Sequence, residues 1–203
     1  RRRPHGRGHA RDSTSPGNYG RGYFLSIPNY LTLLRIILTP VFITSLISYS
    51  PEKEYLRYWA LAIFALAGLT DALDGILARV LRQKTALGEI LDPLADKLLL
   101  LSGYISLLFV DSVLYHPPLW ITIVIIFRDV VLSIGFFTLH FLRVPFDAKP
   151  NLIGKATTVF QMSLLLLILL KWPVAVPVAY VTGFLTILSG VIYVSKALKR
   201  IPS

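Results

Sequence analysis

The chain has 203 residues, 54% of them hydrophobic and only 16% charged, with a mean hydropathy of +0.63. A soluble domain carries roughly 25% charged residues, so neither a water-soluble globule nor a disordered chain fits. No cysteine is present, which excludes disulfides, thiolate metal sites and cysteine nucleophiles. The net charge of +10 would suit nucleic acid, but the apolar excess points to a membrane instead, and no nucleic-acid partner is expected.

Residues 1–21 are rich in Arg, Gly, His, Ser and Pro and form a disordered basic tail, suited to contact with anionic headgroups or simply solvated. From Gly22 to Ser203 apolar stretches alternate with short polar breaks, a single membrane domain. Six spans follow in order, over about 30–49, 58–81, 88–110, 119–142, 152–172 and 174–197. Each run is continuous rather than alternating, so the fold class is all-α: a polytopic membrane protein with six transmembrane helices.

Orientation follows from the basic residues. The tail holds Arg1, Arg2, Arg3, Arg7, Arg11 and Arg21, the second-to-third turn region Arg79, Arg82 and Lys84, the fourth-to-fifth loop region Arg143, Lys149 and Lys155, and the C-terminal end Lys196, Lys199 and Arg200. The other side has Lys53, Arg57 and Lys171. Both termini therefore face the cytoplasm or its organellar equivalent. Tyr23, Tyr30, Tyr49, Tyr58, Trp59, Trp120 and Trp172 read as interfacial belt residues.

Ionisable groups inside a span are costly and mark function. The second and third spans hold Asp71, Asp74, Arg79, Asp92, Asp96 and Lys97. Asp71 and Asp74 share one helix face, and Asp92 and Asp96 share another. With a turn near 82–85, an antiparallel hairpin sets Asp71 level with Asp96, Asp74 with Asp92 and Ala78 with Gly88. Asp71 lies roughly 15 Å by helical rise from the cytoplasmic end. This predicts a cavity recessed below the headgroups and open to the cytoplasm. Carboxylates with no Cys or His select hard cations, Mg²⁺ or Mn²⁺, and two ions balance four charges. Such a pair stabilises attacking and leaving oxygens in phosphoryl chemistry. Gly75, Ala78 and Gly88 leave room for a flat ring beside them.

These residues match a known signature. Asp71-Ala-Leu-Asp74-Gly75-Ile-Leu-Ala78-Arg79, then eight residues, then Gly88-Glu-Ile-Leu-Asp92-Pro-Leu-Ala-Asp96 resembles D-x-x-D-G-x-x-A-R-x8-G-x-x-x-D-x-x-x-D of the CDP-alcohol phosphotransferases at every fixed position. Ile27-Pro28-Asn29 with Arg35, Phe127-Arg128-Asp129, and the stretch from Ile153-Gly154-Lys155 to Gln161 extend the resemblance over about 27–200. It implies a homodimer with a cytoplasm-facing dimetal site, in which an alcohol attacks the lipid-side phosphorus of CDP-diacylglycerol and releases CMP. It also implies that Asp71, Asp74, Asp92 and Asp96 bind metal, that Asp96 is the candidate general base, and that Asp71, Gly75, Ala78, Arg79 and Gly88 form the nucleotide pocket. Arg128, Lys155 and Arg82 are the candidate cations for the acceptor phosphate, with a salt bridge to Asp129 as the competing reading of Arg128. Arg35 reads as a structural partner of backbone or carboxylate groups.

Two subgroups fit. Phosphatidylglycerophosphate synthases use glycerol-3-phosphate, and the Gly154-Lys155 stretch favours them. Eukaryote-type cardiolipin synthases use phosphatidylglycerol, and Asp129 and the run 64–71 look more like them. The former is placed ahead, in a bacterial inner membrane, with a mitochondrial one as the alternative. A prenyltransferase would need two separated Asp-rich motifs, and a divalent-cation transporter would need acids along a path to the far side. The chain has neither.

Overall fold

The computed structural model describes residues 27–81, 86–141 and 152–198. Six α-helices stand in chain order: α1 Ile27–Ile47, α2 Glu54–Leu81, α3 Ala86–Leu107, α4 Leu119–Phe141, α5 Leu152–Leu169 and α6 Ala175–Leu198. A 3₁₀ turn, Pro51–Lys53, leads into α2, and no strand occurs among the described residues. Three described stretches are long and apolar enough to cross a membrane: Tyr30–Ile47, Leu152–Leu169 and Ala175–Ser195. At 28 residues, α2 is about 42 Å long. The tail expected over 1–21 lies outside the described residues.

Helix starts fall earlier than the apolar pattern suggests. α1 includes Ile27-Pro28-Asn29, and α2 begins at Glu54 rather than 58. Pro fits a first turn, where its missing N–H has no intrahelical partner anyway. At the other end, α3 stops at Leu107, short of 110, as Leu108 and Phe109 N–H groups turn back to the Ile105 and Ser106 carbonyls.

The bundle exposes apolar side chains as well as burying them. On α1 the buried positions Thr32, Arg35, Thr39, Phe42 and Leu46 recur every three or four residues, one stripe facing inward. On α6 the inward stripe is small: Ala175, Ala179, Thr182, Thr186 and Ser189. The Thr182 and Thr186 hydroxyls donate to the Val178 and Thr182 carbonyls at 2.7 Å, which satisfies them within the helix. Small faces let helices approach closely where lipid supplies no hydrophobic drive. Outward, Phe127 is 70% exposed and Phe184 67%, apolar surface of the kind that faces lipid or a partner.

α1 packs against both α2 and α3, α5 against α6, and α4 against α6 and α3. The apolar centre joins Phe42 and Leu46 of α1, Phe64 of α2, Tyr104 of α3, Ile121 and Ile125 of α4 and Leu164, Leu165 and Ile168 of α5. The Phe42 and Phe64 rings stack with centroids 5.9 Å apart. Gly103 permits this: a Cβ there would meet Leu165 Cδ2 at 2.5 Å.

Exposed Tyr55, Tyr58, Trp59, Trp120, Trp172 and Tyr180 gather where α2, α4 and α6 begin and α5 ends, an interfacial girdle. Tyr49 is not part of it. That ring is buried, and its hydroxyl donates to Glu54 Oε2 at 3.2 Å. Glu54 also accepts from Lys171 Nζ at 2.9 Å and Arg57 Nε at 2.7 Å, while the Arg57 guanidinium donates to the Leu169 carbonyl. Lys171 adopts φ 56°, and the Trp172 and Lys171 N–H groups bond the Leu167 and Ile168 carbonyls at 3.0 Å. This is a Schellman ending of α5, with lysine where glycine is usual. The clasp thus ties the start of α2 to the end of α5.

Its pH dependence follows. The Lys171 ammonium, with Arg57 and Tyr49, holds Glu54 below its ordinary value of 4.5. Tyr49 and Glu54 push Lys171 above its ordinary 10.5. A depressed carboxylate stabilises above its unfolded pKa and loses that as pH falls through the folded one. A raised lysine stabilises below its unfolded pKa and loses that as pH rises through the folded one. Thermal unfolding temperature should therefore stay level in this respect between 4.5 and 10.5 and fall outside that window. Glu54→Gln should remove the acid limb, measured by thermal scans in detergent across pH.

Candidate active site

The signature residues fall on two helices. Asp71, Asp74, Gly75, Ala78 and Arg79 belong to α2, and Gly88, Asp92 and Asp96 to α3. The helical register puts Asp71 and Asp74, and likewise Asp92 and Asp96, within one turn of each other. Of the eight, Asp96 has a described side chain. The side chains of the other seven lie outside the described residues, and Arg82 lies outside them altogether.

Asp96 is 40% exposed at its side chain and forms an ion pair with Arg35 of α1, a residue buried to 1%. The pairing brings the first helix into the site. Arg35, Asp96 and Lys97, with Gly68, Thr158 and Met162, line a cavity of about 70 Å³ floored by Phe64, Ala67, Leu99 and Leu100. That is room for one or two waters or a hydroxyl group.

Behind Asp96 lies a second charged group. Lys97 Nζ sits 2.9 Å from Asp129 Oδ2, and Arg128 Nη1 donates to Asp129 Oδ1 at 2.7 Å. Arg128 Nη2 donates to Ser189 Oγ of α6 at 2.8 Å. Asp129 is fully buried. The competing sequence reading of Arg128, a salt bridge to Asp129, is thus realised. The same guanidinium keeps Nε without a hydrogen-bond partner and reaches α5: a Cβ at Gly154 would lie 3.6 Å from Nη2. Arg128 is therefore beside the turn that carries Lys155. Lys155 itself is exposed.

On its outer side Arg128 lines a groove of about 460 Å³ between α4 and α6, walled by Ile123, Phe127, Val131, Ile187 and Val191. Gly190 keeps it open: a Cβ there would lie 3.9 Å from Arg128 Cγ, and any longer side chain would project into the groove.

Could these residues hold divalent metal? No group of three acidic or histidine side chains meets among the described residues. The test therefore rests on donor chemistry. Asp96 offers oxygen, Asp92 lies one turn away, the α2 pair adds two carboxylates by sequence, and the chain has no thiolate. An oxygen-only set fits Mg²⁺ or Mn²⁺.

Residues 25–192 match the CDP-alcohol phosphatidyltransferase family. The chain belongs to that family. It is 34% identical over 188 residues to a probable phosphatidylglycerophosphate synthase of Mycobacterium tuberculosis, covering 90% of this chain and 86% of that one. A CDP-diacylglycerol–glycerol-3-phosphate 3-phosphatidyltransferase of Aquifex aeolicus is 35% identical over 169 residues, with 83% and 85% covered. The CMP-forming cardiolipin synthase of Rattus norvegicus is 39% identical over 155 residues, with 68% of this chain and 48% of that one covered. Family membership makes the protein an enzyme of phospholipid biosynthesis and sets the transporter reading aside.

Sequence reasoning gave Arg35 a structural part and Lys97 none. The signal was present, since both are cations inside apolar spans. Their partners lie on other helices, and no local spacing reveals those. Arg35→Met should remove this ion pair from Asp96. The expected loss is about 2 kcal/mol of stability, below the roughly 3–5 of a fully buried pair, with at least a tenfold fall in turnover. Arg35→Lys should keep the stability and recover part of the turnover. Thermal unfolding and initial rates on the same preparations check both.

Proposed function

We propose that the protein transfers the phosphatidyl group of CDP-diacylglycerol to glycerol-3-phosphate, giving phosphatidylglycerophosphate and CMP. The observation that carries this is Asp96. It closes a complete eight-position signature, stands at a small cavity with Arg35 and Lys97, and adjoins buried cations suited to an anionic acceptor. The two relatives named for glycerol-3-phosphate or phosphatidylglycerophosphate chemistry cover most of both chains, which supports the same acceptor.

In this reading six helices span a bacterial inner membrane, both termini and the site face the cytoplasm, and the enzyme is a homodimer. Asp71, Asp74, Asp92 and Asp96 hold two Mg²⁺ or Mn²⁺ ions. When bound, the ions supply charge neutralisation at the pyrophosphate and acidify the acceptor hydroxyl. Asp71, Gly75, Ala78, Arg79 and Gly88 seat the nucleotide. Arg128 and Lys155, with Arg82, orient the acceptor phosphate. Asp96 takes the hydroxyl proton, the acceptor oxygen forms a bond to the lipid-side phosphorus, and the pyrophosphate P–O bond breaks with its electron pair leaving on CMP. Arg35 holds Asp96 in place, so the base enters the reaction oriented.

One observation favours a second reading. The α4–α6 groove is lined by Arg128 and is otherwise mainly apolar. It would take an acyl chain of a lipid acceptor, as phosphatidylglycerol is in cardiolipin synthesis.

CMP release by purified protein with CDP-diacylglycerol and Mg²⁺ or Mn²⁺ separates them. Glycerol-3-phosphate should support release and phosphatidylglycerol should not. Asp92→Asn should lower the rate by about 10²-fold or more, and Gly190→Leu should leave it unchanged. Release with phosphatidylglycerol alone, abolished by Gly190→Leu, would make the second reading correct. No release with either acceptor, from folded protein with metal, would overturn both.

A further inference from the structure

We propose that the Lys97–Asp129 ion pair is a positioning device: it fixes the rotation of α3 about its own axis and so orients the α3 face that carries Asp92 and Asp96. The inference rests on the dimetal reading above. Asp96 and Lys97 are consecutive, so their side chains leave the helix about 100° apart. They are tied in different directions, Asp96 to Arg35 of α1 and Lys97 to Asp129 of α4. Turning α3 either way lengthens one of the two ties. The precision matters, because a side-chain atom at about 5–6 Å from a helix axis moves about 2 Å in a 20° rotation, whereas metal–ligand distances tolerate about 0.2 Å.

Charge balance argues that Lys97 is more than a counter-ion. Arg128 alone neutralises Asp129, at 2.7 Å and with full burial of the carboxylate. Lys97 is thus a second cation on a carboxylate that already has one. A second cation that joins two helices beside Asp96 fits an orienting role. Asp129 is suited to anchor it because its other oxygen is already pinned by Arg128, itself held by Ser189 of α6.

Lys97→Met tests this in the full-length protein in detergent. The substitution keeps the side-chain stem and leaves the Arg128–Asp129 pair intact. The readouts are Mn²⁺ affinity and the electron paramagnetic resonance line shape of bound Mn²⁺, thermal unfolding, and kcat against KM for CDP-diacylglycerol. We expect folding to be retained, Mn²⁺ affinity to fall 10–100-fold as for partners that orient metal ligands, the line shape to change, and kcat to fall more than KM rises. Lys97→Arg, which can still reach Asp129, should restore most of the affinity. Wild-type affinity and line shape in Lys97→Met would overturn the proposal. So would loss of folding, since the pair would then hold the bundle rather than the carboxylates. Wild-type protein that binds Mn²⁺ but releases no CMP would strike the proposed reaction alone, and the metal readouts would still decide this inference.

Discussion

A charge in hydrocarbon must be paired, and in this protein the pairs are made between helices. Arg35 of α1 meets Asp96 of α3, Lys97 of α3 meets Asp129 of α4, and Arg128 joins Asp129 to Ser189 of α6. Four of the six helices are thus cross-linked by one polar layer through an otherwise apolar bundle. The small inward face of α6 and the apolar centre around Phe42, Phe64 and Leu165 supply packing. The charged layer supplies what packing between apolar faces does not, a unique rotation and register for each helix.

The layer also explains why catalysis can sit there. A carboxylate base is useful only if it is ionised and held still, and Arg35 favours both by charge and by geometry. Cations that accommodate an anionic acceptor must be present before the acceptor arrives, which in a membrane requires internal carboxylates to balance them. Asp129 is shared between Arg128 and Lys97. In the proposed reaction, structural and functional charge are therefore not separate populations: the residues that join the helices are also those that would shape the site.

Much of this was legible in the sequence. The apolar runs gave all six helices, because a span needs about 20 apolar residues and little else has that pattern. The aspartates stood out because nothing structural needs four of them in one helical hairpin, and their spacing carried the family. Arg128 was singled out for its depth, and its competing reading, a salt bridge to Asp129, is realised. What escaped was pairing across helices. Arg35 and Asp96 are 61 positions apart, and no period of 3.6 links them. Lys97 stands out in the sequence as a cation in an apolar run, but its partner Asp129 lies on another helix. Tyr49 was read as a belt residue because aromatics at span ends usually are, but a nearby Glu54 and Lys171 drew it inward. The remaining aspartates are placed by sequence and helical register.

The central claim is that an acceptor hydroxyl, deprotonated at the carboxylate stripe, attacks the lipid-side phosphorus. Glycerol-3-phosphate carrying ¹⁸O in the attacking hydroxyl tests it directly, with mass spectrometry of both products. The account predicts full retention of the label in the lipid product, as the bridging oxygen of the new phosphodiester, and unlabelled CMP. Label in CMP would mean attack at the nucleotide-side phosphorus, and a lipid product without label would mean that water, not the acceptor, had opened the pyrophosphate. Either result would contradict the assignment of the site.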